Sequence, residues 1–381
     1  MEHPGEFWED RLVRPTDIYE PYRQGGPRVL PRKAEGQYEI EGAFLEIEAD
    51  DGSVGRAGPI GSGMALSIIQ TFGGLLRDEN PLATERIWDL MHRSAVHGRK
   101  GNTMMAISAV DCALWDLKGV ALGQPAYRLM GGPTRESIPA YASTLGFSVE
   151  PELVAQRARE FAEAGYTAQK WFFKRGPADG RWGMEQNELL VRTVREAAGD
   201  DTEIMLDAWM SWNPDYAIAM AKRLEQYRPR WIEEPVLPDR IASHARIRRE
   251  SPVPISTGEH EYTRWGIQLL IEAEACDVLQ PDTYWAGGLS ELTKICTLAS
   301  VADIPVIPHG HSVSANIQLQ ASQPPNVCPL AEDLIKWNQI HEFFLADPIR
   351  RERGQLLVPD TPGVGMAIDE SRVEEREEIT A

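Results

Sequence analysis

EIMLDAW (203–209), RWIEEP (230–235) and PISTGE (254–259) repeat one pattern: a short apolar run closing on an acidic residue, with Asp207, Glu233 and Glu259 in turn. CDVLQPD (276–282) and IPVIPHG (304–310) continue it and bring in Asp282 and His309. These positions follow one another at intervals of 23 to 27 residues, about the length of one strand–helix unit. Short apolar runs bounded by turn residues read as parallel strands buried on both faces. Working outward, IPAYAST (138–144) and AQKWFF (168–173) come before the series and NVCPLAED (326–333) after it, which makes eight strands. Amphipathic helices lie between most of them, PELVAQRAREFAEAG (151–165) for example. Repeated βα units at this count predict a closed (β/α)8 barrel over residues 136–344. Polar residues at the C-terminal ends of its strands then converge on one catalytic face.

The flanks read differently. Residues 1–36 are irregular, with Pro, Gly and Arg scattered through them, and 16–33 are expected to loop near an entrance. Tyr38–Glu48 alternates as a strand, and the turn Asp50–Ser53 predicts a hairpin with the segment that follows. From Met64 to Lys118 the apolar spacing becomes helical, with a stop at Gly123 ahead of Pro125. The turn-rich tail from about residue 345 is expected to return to this first domain. The expected division is therefore an α+β domain over 1–135, joined by 345–381, and the barrel.

The chain has 381 residues, 42% of them hydrophobic. That supports a large core, and a barrel of roughly 250 residues with a smaller partner domain fits the length. The net charge of −19 repels phosphate backbones and anionic lipid, so neither nucleic acid nor a membrane is an expected partner. Its simplest reading is a solubilising surface. The four cysteines, Cys112, Cys276, Cys296 and Cys328, form no CxxC pair and sit among apolar neighbours. They read as buried free thiols in a reducing compartment. The charged stretch Met1–Asp10 has no apolar signal region, and no apolar run reaches the roughly 18 residues of a membrane span. The cytoplasm is the expected location. The expected partners are a small-molecule substrate and further copies of the chain, as a homo-oligomer.

One Asp or Glu in such a series is ordinarily a helix cap or a solvated loop residue. Three carboxylates on adjacent strands are another matter, because like charges at close range force proton uptake unless a cation joins them. An all-oxygen set favours Mg²⁺, or Mn²⁺, over Zn²⁺. Asp207, Glu233 and Glu259 are thus the candidate metal ligands. His309, one strand beyond Asp282, is the candidate base, since a carboxylate partner fixes the tautomer and raises the basicity of an imidazole. His260, directly after Glu259, is the candidate second acid. His311, two residues past His309, falls in the following loop and is not counted with the set. Lys170, read as ending the second strand, offers positive charge to a substrate carboxylate. The tryptophans near strand ends are mostly packing residues, with Trp209 expected to wall the pocket.

With those residues in view, the chain resembles the enolase superfamily in its mandelate racemase branch. AISAVDCALWDLKGVALGQPAYRLMGG (106–132) is similar to the end of that superfamily's capping domain. LDAW, WIEEP and STGEH are similar to its metal-ligand strands, and QPD and PHG to its Asp–His dyad. The resemblance implies a modified TIM barrel with an α+β capping domain built from both chain ends, one Mg²⁺ per subunit, and an enediolate intermediate. Racemases of this branch carry Lys-x-Lys on the second strand, where this chain reads Lys170-Trp171-Phe172. Some of its dehydratases carry a His two residues after the Asp ligand, where this chain has Trp209. The remaining pattern resembles the L-rhamnonate dehydratase-like acid-sugar dehydratases. It implies that His309 removes the proton α to the carboxylate of an aldonate and that the β-hydroxyl leaves, giving a 2-keto-3-deoxy acid. Glu332 on the eighth strand then contacts substrate hydroxyls or the leaving group. Two alternatives stay open: a sugar-acid or sugar-lactone cycloisomerase or epimerase on the same scaffold, and a catalytically silent binding protein.

Overall fold

The computed structural model describes residues 1–23 and 29–380; residues 24–28, inside the expected entrance loop 16–33, lie outside the described residues. Strands β1 (Ala43–Glu48) and β2 (Val54–Ile60) form the expected antiparallel hairpin, but the strand read from Tyr38 starts only at Ala43. Tyr38 lies on a separate short strand, Gln37–Tyr38, that pairs with Arg32–Ala34 inside the stretch read as irregular. The helical stretch read from Met64 to Lys118 is not continuous. It breaks into a helical segment over 62–76, α1 (Thr84–Ser94) and α2 (Asn102–Leu122). The breaks fall at Asn80-Pro81 and at Gly101, whose φ of 64° is open to glycine. Helix α2 stops where expected, with Gly123 left-handed at φ 61°. Most of α2 is buried, because the hairpin covers one side and the rest packs inward. Gly55 allows the closest approach: a Cβ there would collide with the Ala113 carbonyl oxygen and with Leu117.

Six strands then lie parallel in sequence order, each hydrogen-bonded to the next: β3 (Ser137–Ser143), β4 (Ala168–Phe172), β5 (Glu203–Asp207), β6 (Trp231–Glu233), β7 (Ile255–Thr257) and β8 (Val278–Leu279). Strand β9 (Ala331–Leu334) pairs in parallel with β3, so the eighth strand returns beside the first. The molecule is thus a modified TIM barrel with a capping domain. Helices such as Pro151–Glu163, Gly180–Ala198 and Pro214–Leu224 intervene. The last of these starts as Asn-Pro sequences favour: Asn213 accepts a hydrogen bond from Tyr216 N at the N-cap, with Pro214 at N1.

Three of the expected strands are reshaped, the first two by prolines. The sixth, read over 276–282, ends at Leu279 because Pro281 has no N–H for the ladder, which leaves Asp282 in a loop. The seventh, read over 304–310, is one bridge between Val306 and Leu279. Pro305 and Pro308 cannot donate, and the intervening N–H groups of Val306 and Ile307 go to the Val327 and Leu279 carbonyls. The eighth, read over 326–333, begins only at Ala331, because Val327 N and Cys328 N turn back onto Pro324 O. The third, read to Trp209, stops at Asp207, where Trp209 and Met210 turn the chain at positive φ.

Side-chain alternation sets the floor and the site. Tyr141, Ala168, Met205, Trp231, Val278, Ile307 and Leu330 form one buried cluster inside the barrel. Two residues further along the same strands stand Ser143, Lys170, Asp207, Glu233, Gln280, His309 and Glu332, all buried. With a period of two, each polar residue faces the same interior one layer higher. Beyond the barrel, Gln355–Leu357 (β10) pairs antiparallel with β3, and Val364 N donates to Asp116 of α2. All four cysteines are buried free thiols. No helix among the described residues is long and apolar enough to cross a membrane.

Candidate active site

The parallel register sets Asp207 of β5 directly beside Glu233 of β6. Lys170, which lies mid-strand in β4 and not at its end, reaches up to both. Its Nζ is 2.8 Å from Glu233 Oε1, 3.3 Å from Asp207 Oδ2 and 2.8 Å from Glu332 Oε1. Gln280 Nε2 and Trp231 Nε1 donate to the other Glu233 oxygen. Glu332 Oε2 accepts from Gly310 N at 2.7 Å, tying the eighth strand to the residue after His309.

A second group adjoins the first. His309 Nδ1 is 2.8 Å from Asp282 Oδ2, and His309 Nε2 is 3.5 Å from Glu259 Oε1. His260 Nδ1 is 2.7 Å from Glu234 Oε2, and its Nε2 is 3.8 Å from Glu259 Oε1. The Trp209 ring stands edge-on to His260, 6.4 Å between centroids, while Trp209 N donates to Asp207 Oδ1. The nine candidate residues thus gather into one cluster: Lys170, Asp207, Glu233 and Glu332 on one side, and Glu259, His260, Asp282 and His309 on the other, with Trp209 against His260.

The electrostatics show unbalanced negative charge. Burial pushes Asp207 up to about 6, Glu233 to about 8 and Glu259 to about 7, with neighbouring carboxylates adding to it and Lys170 opposing it at the first two. Burial also acts on Glu332, but Lys170 and His309 outweigh it and hold that carboxyl below its usual range. At the histidines burial is again the largest effect and favours the neutral ring. It is outweighed at His309, raised to about 10 by Glu259 and Asp282, and at His260, raised to about 9 by Glu234 and Glu259.

The donor set suits a hard divalent cation. Asp207, Glu233 and Glu259 offer oxygen only, on adjacent strands, with more charge than Lys170 cancels. Among the described residues, the group whose donor atoms all lie within 4.8 Å of one another is Glu234, Glu259 and His260. It shares only Glu259 with the candidate ligands, since Asp207 and Glu233 are drawn onto Lys170. Glu234 is one residue that sequence reading missed. It follows β6 at φ 39°, and that turn brings its side chain back to His260, which no periodicity announces. Gln280 was missed too, although alternation from Val278 points to it. Asn316 bonds the His309 carbonyl and Thr283, a contact without a sequence signature.

Residues 153–372 match the enolase C-terminal domain-like family, and residues 27–131 match the mandelate racemase / muconate lactonizing enzyme N-terminal domain. The chain belongs to the enolase superfamily. Its branch is that of mandelate racemase and muconate lactonizing enzyme, and the protein is an enzyme. It is 34% identical over 380 residues to the L-rhamnonate dehydratase of Saccharopolyspora erythraea, covering 96% of this chain and 91% of that one. Among solved structures it resembles the 3,6-anhydro-D-galactonate cycloisomerase of Zobellia galactanivorans, with TM-score 0.78 and 32% identity over 86% of this chain and 92% of that one. It also resembles a racemase of Streptomyces coelicolor A3(2) with bound magnesium, with TM-score 0.79 and 29% identity over 91% of this chain and 94% of that one. Members of this superfamily bind Mg²⁺.

Proposed function

We propose that this superfamily member is a Mg²⁺-dependent acid-sugar dehydratase, a hydro-lyase acting on an aldonate, with one ion per subunit held by Asp207, Glu233 and Glu259. The observation that carries the reading is the Asp282–His309 pair at 2.8 Å, with His309 Nε2 turned to Glu259. The positions that would supply another base hold Phe172 and Trp209, neither of which accepts a proton. Held by Asp207, Glu233 and Glu259, a divalent cation would supply counter-charge to the substrate carboxylate and would offset the Glu259 charge that raises His309. His309 Nε2 then removes the proton at C2, while Asp282 holds Nδ1–H and stabilises the imidazolium. Lys170 and Glu332 orient the acid and its hydroxyls. His260, charged beside Glu234, gives a proton to the C3 hydroxyl, which leaves as water. The enol that remains ketonises to a 2-keto-3-deoxy acid. In the same reading, residues 136–344 form the catalytic barrel, and 1–135 with 345–381 form the cap.

A panel of aldonic and aldaric acids, with Mg²⁺ and with EDTA, tests this. At least one aldonate should give a semicarbazide-reactive product with Mg²⁺ and none with EDTA. An isomerised acid without any keto acid would replace this reading with a cycloisomerase or epimerase.

A further inference from the structure

Beyond His309 the pocket wall continues as a run of rings that the chemistry above does not use. Trp285 lies 5.2 Å from His309, 5.2 Å from His311 and 5.5 Å from His260, centroid to centroid. The His311 ring lies near-parallel to His309 at 6.2 Å and meets His341 edge-on at 4.4 Å. Trp337 closes the group at 5.7 Å from His311 and 4.8 Å from His341. Trp337 and His341 sit on the short helix Ile335–His341, which directly follows the strand carrying Glu332. The wall is therefore continuous with the catalytic face.

Two features give this wall a chemistry. First, its polar atoms are neutral. Burial, with His341 and His309 adding to it, pushes the His311 ring well down, and burial pushes His341 down to about 4. Lys336, next to Trp337, points elsewhere, with Nζ on Glu9 Oε1 at 2.8 Å and on the Gly146 carbonyl at 3.0 Å. Second, the Trp337 indole N–H is buried with no hydrogen-bond partner among the described residues. A buried donor left unmet is destabilising, and an incoming acceptor would remove that cost. Neutral imidazoles that donate at one nitrogen and accept at the other suit hydroxyl groups, which do both. Aromatic faces suit the C–H face of a carbon chain. A second carboxylate set here would be desolvated without a cation, in a pocket already crowded with Glu234, Glu259 and Glu332.

We propose that Trp337, His311 and His341 form the subsite that receives the far, uncharged end of the acid, and that they make the enzyme select monoacids over the matching diacids. The inference rests on the dehydratase reading for which end of the substrate lies near His309. It goes further in naming the residues that choose the substrate class.

The test pairs each hexonate epimer with its aldarate, and measures keto-acid formation and, by calorimetry with Mg²⁺, binding. In the wild type the preferred aldonate should bind at least about tenfold more tightly than its diacid. Trp337→Phe keeps a ring and removes the donor; it should raise KM several-fold with kcat nearly unchanged. His341→Arg, in protein whose circular dichroism matches wild type, should narrow or reverse the preference. Equal binding of the diacid by the wild type, or an unchanged KM in Trp337→Phe, overturns the subsite. Keto acid made equally well from diacids leaves the dehydratase standing and removes the subsite. A binding preference without any keto acid does the opposite. Binding of neither class removes both.

Discussion

His309 is gripped at both nitrogens, by Asp282 on Nδ1 and by the nearby Glu259 on Nε2. In the proposed reaction this ring carries a proton between Nε2 and the substrate. His309→Asn keeps a polar group facing Asp282 and removes the proton acceptor. Loss of a general base costs about 10²–10⁴-fold, so keto-acid formation and C2 proton exchange in D₂O, followed by NMR, should both fall by at least that. Exchange at the wild-type rate would move the base to His260. At this scale the sequence is informative because the barrel counts in twos: every floor residue from Ala168 to Leu330 has a buried polar residue two positions later. Glu234 and Asn316 escape that rule. One is turned inward by a positive φ and the other reaches in from a helix behind the wall, and neither placement leaves a mark in spacing.

Between β8 and helix α3 (Gly288–Val301) runs the loop that carries Asp282 and Trp285, and the cap holds it from outside. Ser108 Oγ of α2 accepts from Gly287 N at 2.8 Å, Trp88 Nε1 of α1 donates to Gly287 O at 2.8 Å, and Asp111 Oδ2 of α2 accepts from Ser290 N at 2.9 Å. Asp111 thereby caps α3 from another element. Gly288 sits at φ 80°, and a Cβ there would strike the Asp111 carboxylate. Gly288→Ala therefore combines backbone strain with overpacking, and roughly 1–3 kcal/mol of stability should be lost, read as a lower urea midpoint. Because Trp285 shares the loop, kcat/KM should fall with it; an unchanged midpoint and kcat/KM would show that the latch does not position the loop. The elements themselves were legible to different depths. The hairpin, the stop at Gly123 and the order of the parallel strands follow from turn residues and apolar runs. Strand ends at 279 and 306 do not, because prolines remove ladder donors inside runs that otherwise look like strand, and the start at 331 does not, because Val327 N and Cys328 N turn back onto Pro324 O. The breaks at Asn80-Pro81 and Gly101 lie inside an apolar periodicity that runs across them and masks their turn residues.

Across the whole molecule, helix α2 joins the hairpin, the returning tail and the barrel, and it does so with buried carboxylates. Asp116 accepts from Arg56 N of the hairpin at 2.8 Å and from Val364 N of the returning tail at 2.6 Å, while Asp111 of the same helix holds α3 of the barrel. Burial pushes Asp111 up to about 7 and Asp116 to about 6, with the backbone donors only partly offsetting it. Unfolded aspartates titrate near 3.9. Between about pH 4 and 7 the folded protein therefore holds protons that the unfolded chain has released. The stabilising contribution of these two groups is complete below about pH 4 and is lost as pH rises through 6 and 7. One such proton makes at most about 1.4 kcal/mol per pH unit. Other groups titrate over the same range, so the informative quantity is a difference between proteins at fixed Mg²⁺ and salt. Asp111→Asn retains an oxygen for Ser290 N and cannot ionise. Urea unfolding from pH 5 to pH 8 should show the wild type losing stability relative to this variant as pH rises, with the difference levelling off above about 7. Parallel curves over that range would mean that the Asp111 carboxyl ionises in the folded cap as it does in water, and that the joint between cap and barrel carries a charge rather than a proton.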